Sequence, residues 1–218
     1  MNGAFGVLLG MSVLLSSAKK EKEFVSNYQL SSYKTDKERN WVDSVYNALS
    51  PRERAAQTFI IAAYSNKNEK NYQETQDMIA RMQPGGIIFF QGGPVKQAHL
   101  TNRYQAQAKV PMFISGDYEW GLSMRLDSTF KFPWQMTLGA IQNQELIREV
   151  GLEMARQLRR VGVNFSYSPV LDVNNNPANP IIGARSFGES KHNVTQKGIA
   201  LTAGLQQGGV LASGKHFP

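Results

Sequence analysis

Cysteine is absent from the 218 residues of this chain, and histidine occurs only three times. Without cysteine the chain has no disulfide, thiol nucleophile, cysteine metal site or lipidated cysteine anchor. No two of His99, His192 and His216 have a metal-ligand spacing, so no zinc site is predicted. The dinucleotide fingerprint and the phosphate-binding P-loop are also missing. No Gly-x-Ser-x-Gly elbow occurs, although composition alone leaves a Ser-His-Asp triad open.

Basic residues are in excess, since 24 Lys and Arg against 17 Asp and Glu give a net charge of +7. These cations are scattered along the chain, apart from a short run at Lys19, Lys20 and Lys22. Nucleic-acid binders concentrate basic residues on one face or in a known motif, and no such motif is present. The sequence therefore does not predict a nucleic-acid partner.

The first 18 residues predict an export signal. Residues 4–15 are apolar, and Ser16, Ser17 and Ala18 are small residues of the type found at a cleavage site. The apolar stretch is too short to span a bilayer comfortably, so we expect no stable membrane insertion after cleavage and a periplasmic or extracellular location. Because no basic residue precedes the stretch, an apolar N-terminal helix or a start further upstream remain alternatives. Residues 19–39 are predicted to form a charged linker.

From residue 36 onward, segments with helical periodicity alternate with short apolar runs. Helices are predicted at 36–49, 72–82, 95–108, 143–161 and 194–207, and strands at 58–63, 86–90, 110–115, 163–168 and 209–213. A second short helix is predicted to open at Ser50 and Pro51, with Ser50 as its N-cap. Strands that alternate with helices predict an α/β fold with a parallel sheet. Five such units fit part of an eight-stranded barrel or an open, doubly wound sheet, and periodicity alone does not choose between them.

Polar or glycine-rich segments follow four of the five predicted strands, where an α/β barrel places its active site. Asp117 and Glu119 follow the third strand and are two residues apart, so in extended backbone both point the same way, about 6.5 to 7 Å apart at their Cα atoms. A carboxylate pair next to an aromatic residue, here Trp120, is typical of sugar sites, and retaining glycosidases hold two carboxyls about 5 Å apart. A helix cap or a turn is the alternative role for Asp117.

Two further segments supply cations at the same edge. Arg185 lies in the long loop after the fourth strand, where its planar guanidinium could bind hydroxyls or carboxylates, or could fix the loop to Asp172. Lys215 and His216 end the fifth strand, and two adjacent cation-forming residues there require partners. Since termini rarely lie at the mouth of a site, their position beside Pro218 leads us to expect that the chain is a fragment.

Four segments together resemble the N-terminal barrel of glycoside hydrolase family 3, particularly its β-N-acetylglucosaminidase branch. They are residues 85–90 (GGIIFF), the loop at Asp117, residues 176–188 (NPANPIIGARSFG) and residues 215–218 (KHFP). The resemblance covers about residues 49–218. It implies a partial TIM (β/α)8 barrel with about five of the eight βα units, so that residues 40–218 form the N-terminal part of a glycoside hydrolase barrel domain.

The resemblance also implies an activity: removal of terminal β-linked N-acetylglucosamine or glucose with retention, without a metal or an organic cofactor. Asp117, Arg185, Lys215 and His216 would bind the hydroxyls of the sugar. Trp120 stands where many members have glycine, and would stack against the sugar ring. The nucleophilic Asp and the acid/base His of the family are expected beyond Pro218, so no catalytic residue is assigned within the chain, and the chain alone is expected to be inactive.

A hypothesis of another class is a noncatalytic sugar-binding or interaction protein. It would use Asp117, Arg185, Lys215 and Trp120 as a lectin-like cleft. An inactive gene fragment is the remaining alternative.

Overall fold

The computed structural model describes residues 35–217. The predicted export signal at 1–18 and residues 19–34 of the predicted linker lie outside the described residues. The chain divides into two units after Val42. Helix α1 (Asp36–Ala48) runs across this division, and the sheet and the other described helices lie in the second unit.

Five parallel strands form one sheet. They are β1 (Ile60–Ser65), β2 (Gly86–Gly92), β3 (Phe113–Gly116), β4 (Phe165–Ser166) and β5 (Leu211–Ala212). Their order in the sheet is the order in the chain, β1 to β5. A doubly wound sheet reverses its strand order at a switch point, whereas a barrel keeps winding in one direction. The prediction of a partial α/β barrel is therefore confirmed.

Helices separate the strands as predicted, with ends that shift by a few residues. They are α2 (Pro51–Ala56), α3 (Glu69–Met82), α4 (Pro94–Gln105), α5 (Gln135–Gly139), α6 (Gln144–Arg160) and α7 (Lys191–Gln207). Helix α5 was not predicted, because five residues are too few for a helical period to show. Between residues 35 and 217, no helix is long and apolar enough to cross a membrane.

Local sequence sets several helix ends. Ser50 caps α2 in a capping box with Glu53, and Pro51 occupies the first turn. Gly162 follows α6 at φ +81°, where a side chain would also meet Thr101 at 2.5 Å. Glycine is thus required there for both conformation and space.

The core lies on the face of the sheet that the helices cover. Ile87, Phe89 and Ile114 are fully buried there, and the Phe89 ring stacks on the ring of the helix residue Tyr104. Alternate strand residues point to the opposite face. On that face Ile60, Phe113 and Leu211 remain 39%, 46% and 43% exposed.

Candidate functional site

The carboxyl ends of β3, β4 and β5 bring the predicted site residues together. Asp117 follows β3 directly, and Arg185 ends a 3-10 turn (Gly183–Arg185) in the loop after β4. The pairing of β4 with β5 continues past the strands, because the Leu171 N–H donates to the Lys215 carbonyl at 2.5 Å and the Lys215 N–H to the Pro169 carbonyl at 3.0 Å. This extension carries the Lys215 side chain to the end of β3.

Lys215 bridges the two carboxylates that follow β3. Its Nζ lies 2.8 Å from Asp117 Oδ1 and 2.8 Å from Glu119 Oε1. The predicted common direction of the Asp117 and Glu119 side chains is therefore observed. The Lys215 side chain is 16% exposed and that of Asp117 21%, so the bridge is largely shielded from water.

Arg185 also binds the Glu119 carboxylate. Its Nε and Nη2 donate to the two carboxylate oxygens at 2.9 and 2.8 Å, and its Nη1 donates to the Ile181 carbonyl at 3.1 Å. The Glu119 side chain is only 1% exposed. The alternative in which Arg185 fixes its loop through a hydrogen bond to Asp172 is wrong, since Glu119 is the carboxylate that it binds.

Arg125 adds a second cation to Asp117. Its Nη2 donates to Asp117 Oδ2, and its guanidinium carbon lies 5.3 Å from the centre of the Phe90 ring. The chain places it there by a 3-10 turn (Leu122–Met124) that returns toward β2. Arg125 was not predicted as a site residue, because seven residues without a regular period lie between it and Asp117.

His216 is oriented by Asp172. The ring Nδ1 lies 2.8 Å from Asp172 Oδ2, and the same oxygen accepts the His216 backbone N–H at 3.0 Å. The other ring nitrogen lies 3.4 Å from Arg185 Nη2. Since the His216 side chain is 46% exposed, the ring is both held and accessible to a ligand. Asp172 was considered only as a partner of Arg185, and its role toward His216 was not predicted.

The two carboxylates after β3 stay ionised. Burial alone would raise the pKa of Asp117, but the hydrogen bonds and charges of Lys215 and Arg125 lower it below its ordinary value. For Glu119, burial likewise opposes ionisation, and Arg185 with Lys215 outweighs it and lowers the pKa. A general acid in glycoside cleavage needs a raised pKa, so neither carboxyl is suited to that role. Their arrangement is suited to binding.

Trp120 stacks on a second tryptophan. Its ring centre lies 4.3 Å from that of Trp134, with the ring planes 29° apart. The Trp120 carbonyl accepts the Phe132 N–H at 3.3 Å, which aligns the two segments. Both indoles are half-buried. Trp134 was not predicted as a site residue, since nothing in the sequence pairs it with Trp120.

No arrangement of side chains typical of a metal site occurs in the part of the chain that the structure describes. Within residues 35–217, no group of three or more His, Cys, Asp or Glu is arranged to hold a metal ion. Lys215, Arg125 and Arg185 instead neutralise Asp117 and Glu119.

Known glycosidases are similar to this chain in sequence and in fold. The sequence pattern of the glycosyl hydrolase family 3 N terminal domain covers residues 46–218. A β-hexosaminidase of Thiobacillus denitrificans is 38% identical over 144 residues, which are 62% of this chain and 40% of that protein. The structure of a family 3 β-N-acetylglucosaminidase from Paenibacillus is 33% identical with a TM-score of 0.70, covering 78% of this chain and 34% of that one.

A β-glucoside phosphorylase shares the fold with a TM-score of 0.80 at 24% identity, over 89% of this chain and 35% of that one. The chain thus spans well under half the length of these relatives. The matched residues include a charged cluster, formed by Asp117, Glu119, Arg125, Asp172, Arg185, Lys215 and His216. Because the family pattern matches most of the chain, the chain belongs to glycosyl hydrolase family 3, with residues 46–218 matching its N-terminal domain.

Proposed function

We propose that the protein is a retaining glycoside hydrolase that removes terminal β-linked N-acetylglucosamine or glucose residues. One observation carries the proposal: Lys215 bridges Asp117 and Glu119 while Arg185 holds Glu119 from the other side, all at the carboxyl edge of the sheet. The β-hexosaminidase and β-N-acetylglucosaminidase relatives support the substrate class.

The cluster has the mixture of groups that a sugar requires. A hydroxyl both donates and accepts, so it can donate to the Asp117 carboxylate while accepting from Lys215 or Arg185. His216 offers an exposed ring nitrogen, and Trp120 offers an apolar surface for the C–H groups of the ring. The cations are already paired with carboxylates, which holds them in place before the sugar arrives.

In this proposal the charged cluster binds the sugar, and residues outside the cluster cleave the glycosidic bond. Retention requires a carboxylate nucleophile that forms a covalent glycosyl-enzyme and a second group that acts as acid and then as base. Cations occupy the oxygens of both carboxylates after β3, which opposes their use as nucleophiles, and the lowered pKa values of these groups oppose their use as the acid. We therefore assign the nucleophilic Asp and the acid/base His to residues outside the cluster.

The test is a calorimetric titration of the full chain with N-acetylglucosamine, together with an assay on its 4-nitrophenyl β-glycoside. Lys215→Met should weaken binding by at least tenfold, because it removes the charged donor shared by two carboxylates. Lys191→Met, at the exposed start of α7, is the matched control and should bind as the unaltered chain does. The absence of saturable binding by the unaltered chain would overturn the proposal.

A noncatalytic sugar-binding protein is the second candidate. The pairing of Asp117 and Glu119 with cations favours it, because both carboxylates are suited to binding and neither has the raised pKa that a general acid needs. The same experiment separates the two functions. For this purpose the nitrophenol assay uses a form of the protein that also carries the residues assigned as nucleophile and acid/base. In that form, release that Lys215→Met abolishes supports the hydrolase, and saturable binding with no release supports the second candidate.

Export forms part of the proposal. Its support is the apolar stretch at 4–15 followed by Ser16, Ser17 and Ala18. Mass spectrometry of the protein recovered from the cell envelope and medium should find an N-terminus at or near Lys19. A full-length N-terminus in a cytosolic fraction alone would contradict it.

A further inference from the structure

We infer that Trp134 is a positioning residue, which holds the Trp120 indole as a stacking wall for the pyranose ring bound by the charged cluster. This inference rests on the proposed sugar-binding function. It goes further by naming the residue that makes the wall rigid and the stereochemical class of sugar that the wall favours.

The first observation is that the backbone on both sides of Trp120 is fixed. Trp120 directly follows Glu119, whose side chain is 1% exposed and bonded to both Arg185 and Lys215. The backbone next to the indole is thus fixed by the cluster itself. The Phe132 N–H, which donates to the Trp120 carbonyl, fixes the other side of the residue.

The second observation is how Trp134 is held. Gln135, the next residue, is buried, and its amide makes two hydrogen bonds with the Val170 backbone, at 2.8 Å to the carbonyl and at 3.0 Å from the N–H. Val170 also pairs with Lys215 in an isolated bridge. Trp134 is therefore anchored to the same strand extension that delivers Lys215 to the cluster.

The third observation concerns the faces of the two rings. One face of Trp134 lies against Trp120, and the Lys131 ammonium lies over the Trp134 ring, 5.5 Å from its centre. Trp134 thus contacts both an indole and a cation, and the stack with Trp134 uses one face of the Trp120 indole. Because Trp120 directly follows Glu119, one loop supplies both a half-buried aromatic ring and paired charges. This combination suits a sugar, which is polar around its rim and apolar on its faces.

These contacts favour one class of sugar. In glucose and N-acetylglucosamine every ring substituent of the β-anomer is equatorial, so both faces of the ring present C–H groups. An axial substituent, as at C2 of N-acetylmannosamine, places a polar group on one face. A wall that cannot move aside should therefore favour N-acetylglucosamine over N-acetylmannosamine.

Circular dichroism of the full chain first tests the pair itself. Two stacked indoles couple electronically and give a paired band in the far ultraviolet that isolated indoles lack. The band should be present in the unaltered chain, absent in Trp134→Leu, and unchanged in Phe130→Leu. Phe130 is the matched control, since it is an exposed aromatic of the same segment that packs edge-on against Phe132.

Calorimetric titration then tests what the pair does. Trp134→Leu should weaken N-acetylglucosamine binding about fivefold and should reduce the ratio of the affinities for N-acetylglucosamine and N-acetylmannosamine. Trp134→Tyr can still stack on Trp120, so it should keep most of the affinity and most of this ratio. If Trp134→Leu binds both sugars as the unaltered chain does while Lys215→Met binds neither, the wall is refuted and the sugar site stands. If the indole band is present but the unaltered chain binds no sugar, both proposals fail.

Discussion

Glu119 and Arg185 are 66 residues apart in the chain and are joined by two parallel hydrogen bonds of 2.9 and 2.8 Å. The pair connects the end of β3 to the 3-10 turn in the long loop after β4. Because Lys215 donates to the same carboxylate, one buried anion fixes residues from three separate segments. Glu119 is therefore the residue on which the geometry of the cluster depends.

Replacing Glu119 with Gln should destabilise the fold by about 2 kcal/mol at neutral pH. The change leaves Arg185 and Lys215 without their shared anion, and the cost stays moderate because both cations keep some exposure to water. Urea denaturation measures it. Glu153→Gln, which breaks an exposed pair with Arg156 on α6, is the control and should change the stability much less. Equal effects of the two variants would contradict the central role of Glu119.

The same variant should show a characteristic dependence on pH. The pKa of Glu119 is lowered in the folded chain, since the hydrogen bonds from Arg185 and Lys215 outweigh burial. Its contribution is therefore complete above the ordinary value of 4.5 and is lost as the pH falls through the lowered value. Denaturation curves of the two proteins should differ fully at pH 7 and converge in strong acid. A difference that grows with acidification would contradict the direction of the shift.

Arg185→Lys should weaken binding of N-acetylglucosamine about tenfold although it keeps the positive charge. Lysine cannot form the two parallel bonds to Glu119, so the cation is no longer held in one orientation. Calorimetry measures the affinity, and Arg156→Lys on the surface of α6 serves as the matched control. Unchanged affinity would show that charge alone suffices at this position.

Sequence patterns predicted the alternation of strands and helices well, because buried parallel strands and amphipathic helices have strong periodic signals. The choice of a barrel over an open sheet came from the family resemblance and not from periodicity. The predicted strand ends were less accurate where hydrogen bonds from side chains replace the pairing between strands. Residues 110–112 were predicted as strand, yet β3 begins at Phe113, because the side-chain amide of Gln105 binds both the N–H and the carbonyl of Met112. Such a bond between a helix and a strand entrance leaves no periodic trace.

The site was predictable to the extent that its residues follow strands. Asp117, Lys215 and His216 each come directly after a strand or its extension, so their meeting at one edge follows from parallel topology. Arg125 and Trp134 come from irregular chain, and only the folded loops bring them to Asp117 and Trp120. The site residues that follow strands were therefore predictable, whereas Arg125 and Trp134, which bind or stack on them, were not.

Gly204→Ala should destabilise the fold by about 3 kcal/mol. Helices α6 and α7 cross so closely that a Cβ at Gly204 would lie 2.0 Å from the Arg148 carbonyl oxygen and 2.9 Å from Gly151 Cα. Backbone cannot move aside as a side chain can, so the helices must separate. Gly93→Ala is the control, since the nearest atom to its new Cβ would be Asp127 Oδ1 at 3.5 Å. Thermal denaturation compares the two, and equal midpoints would refute the close packing.

Leu211→Lys should reduce self-association of the chain. Leu211 lies on β5, an outermost strand of the described sheet, and it shares with Ile60 and Phe113 the face that the helices do not cover. Exposed apolar groups beside an unpaired strand edge favour association between molecules, and a lysine opposes it through charge and hydration. Leu146→Lys is the matched control, because Leu146 is 46% exposed on α6 against 43% for Leu211. Sedimentation velocity should show large species for the unaltered chain and for Leu146→Lys, and fewer for Leu211→Lys. Equal reduction by both lysines would mean that net charge, and not the uncovered face of the sheet, controls association.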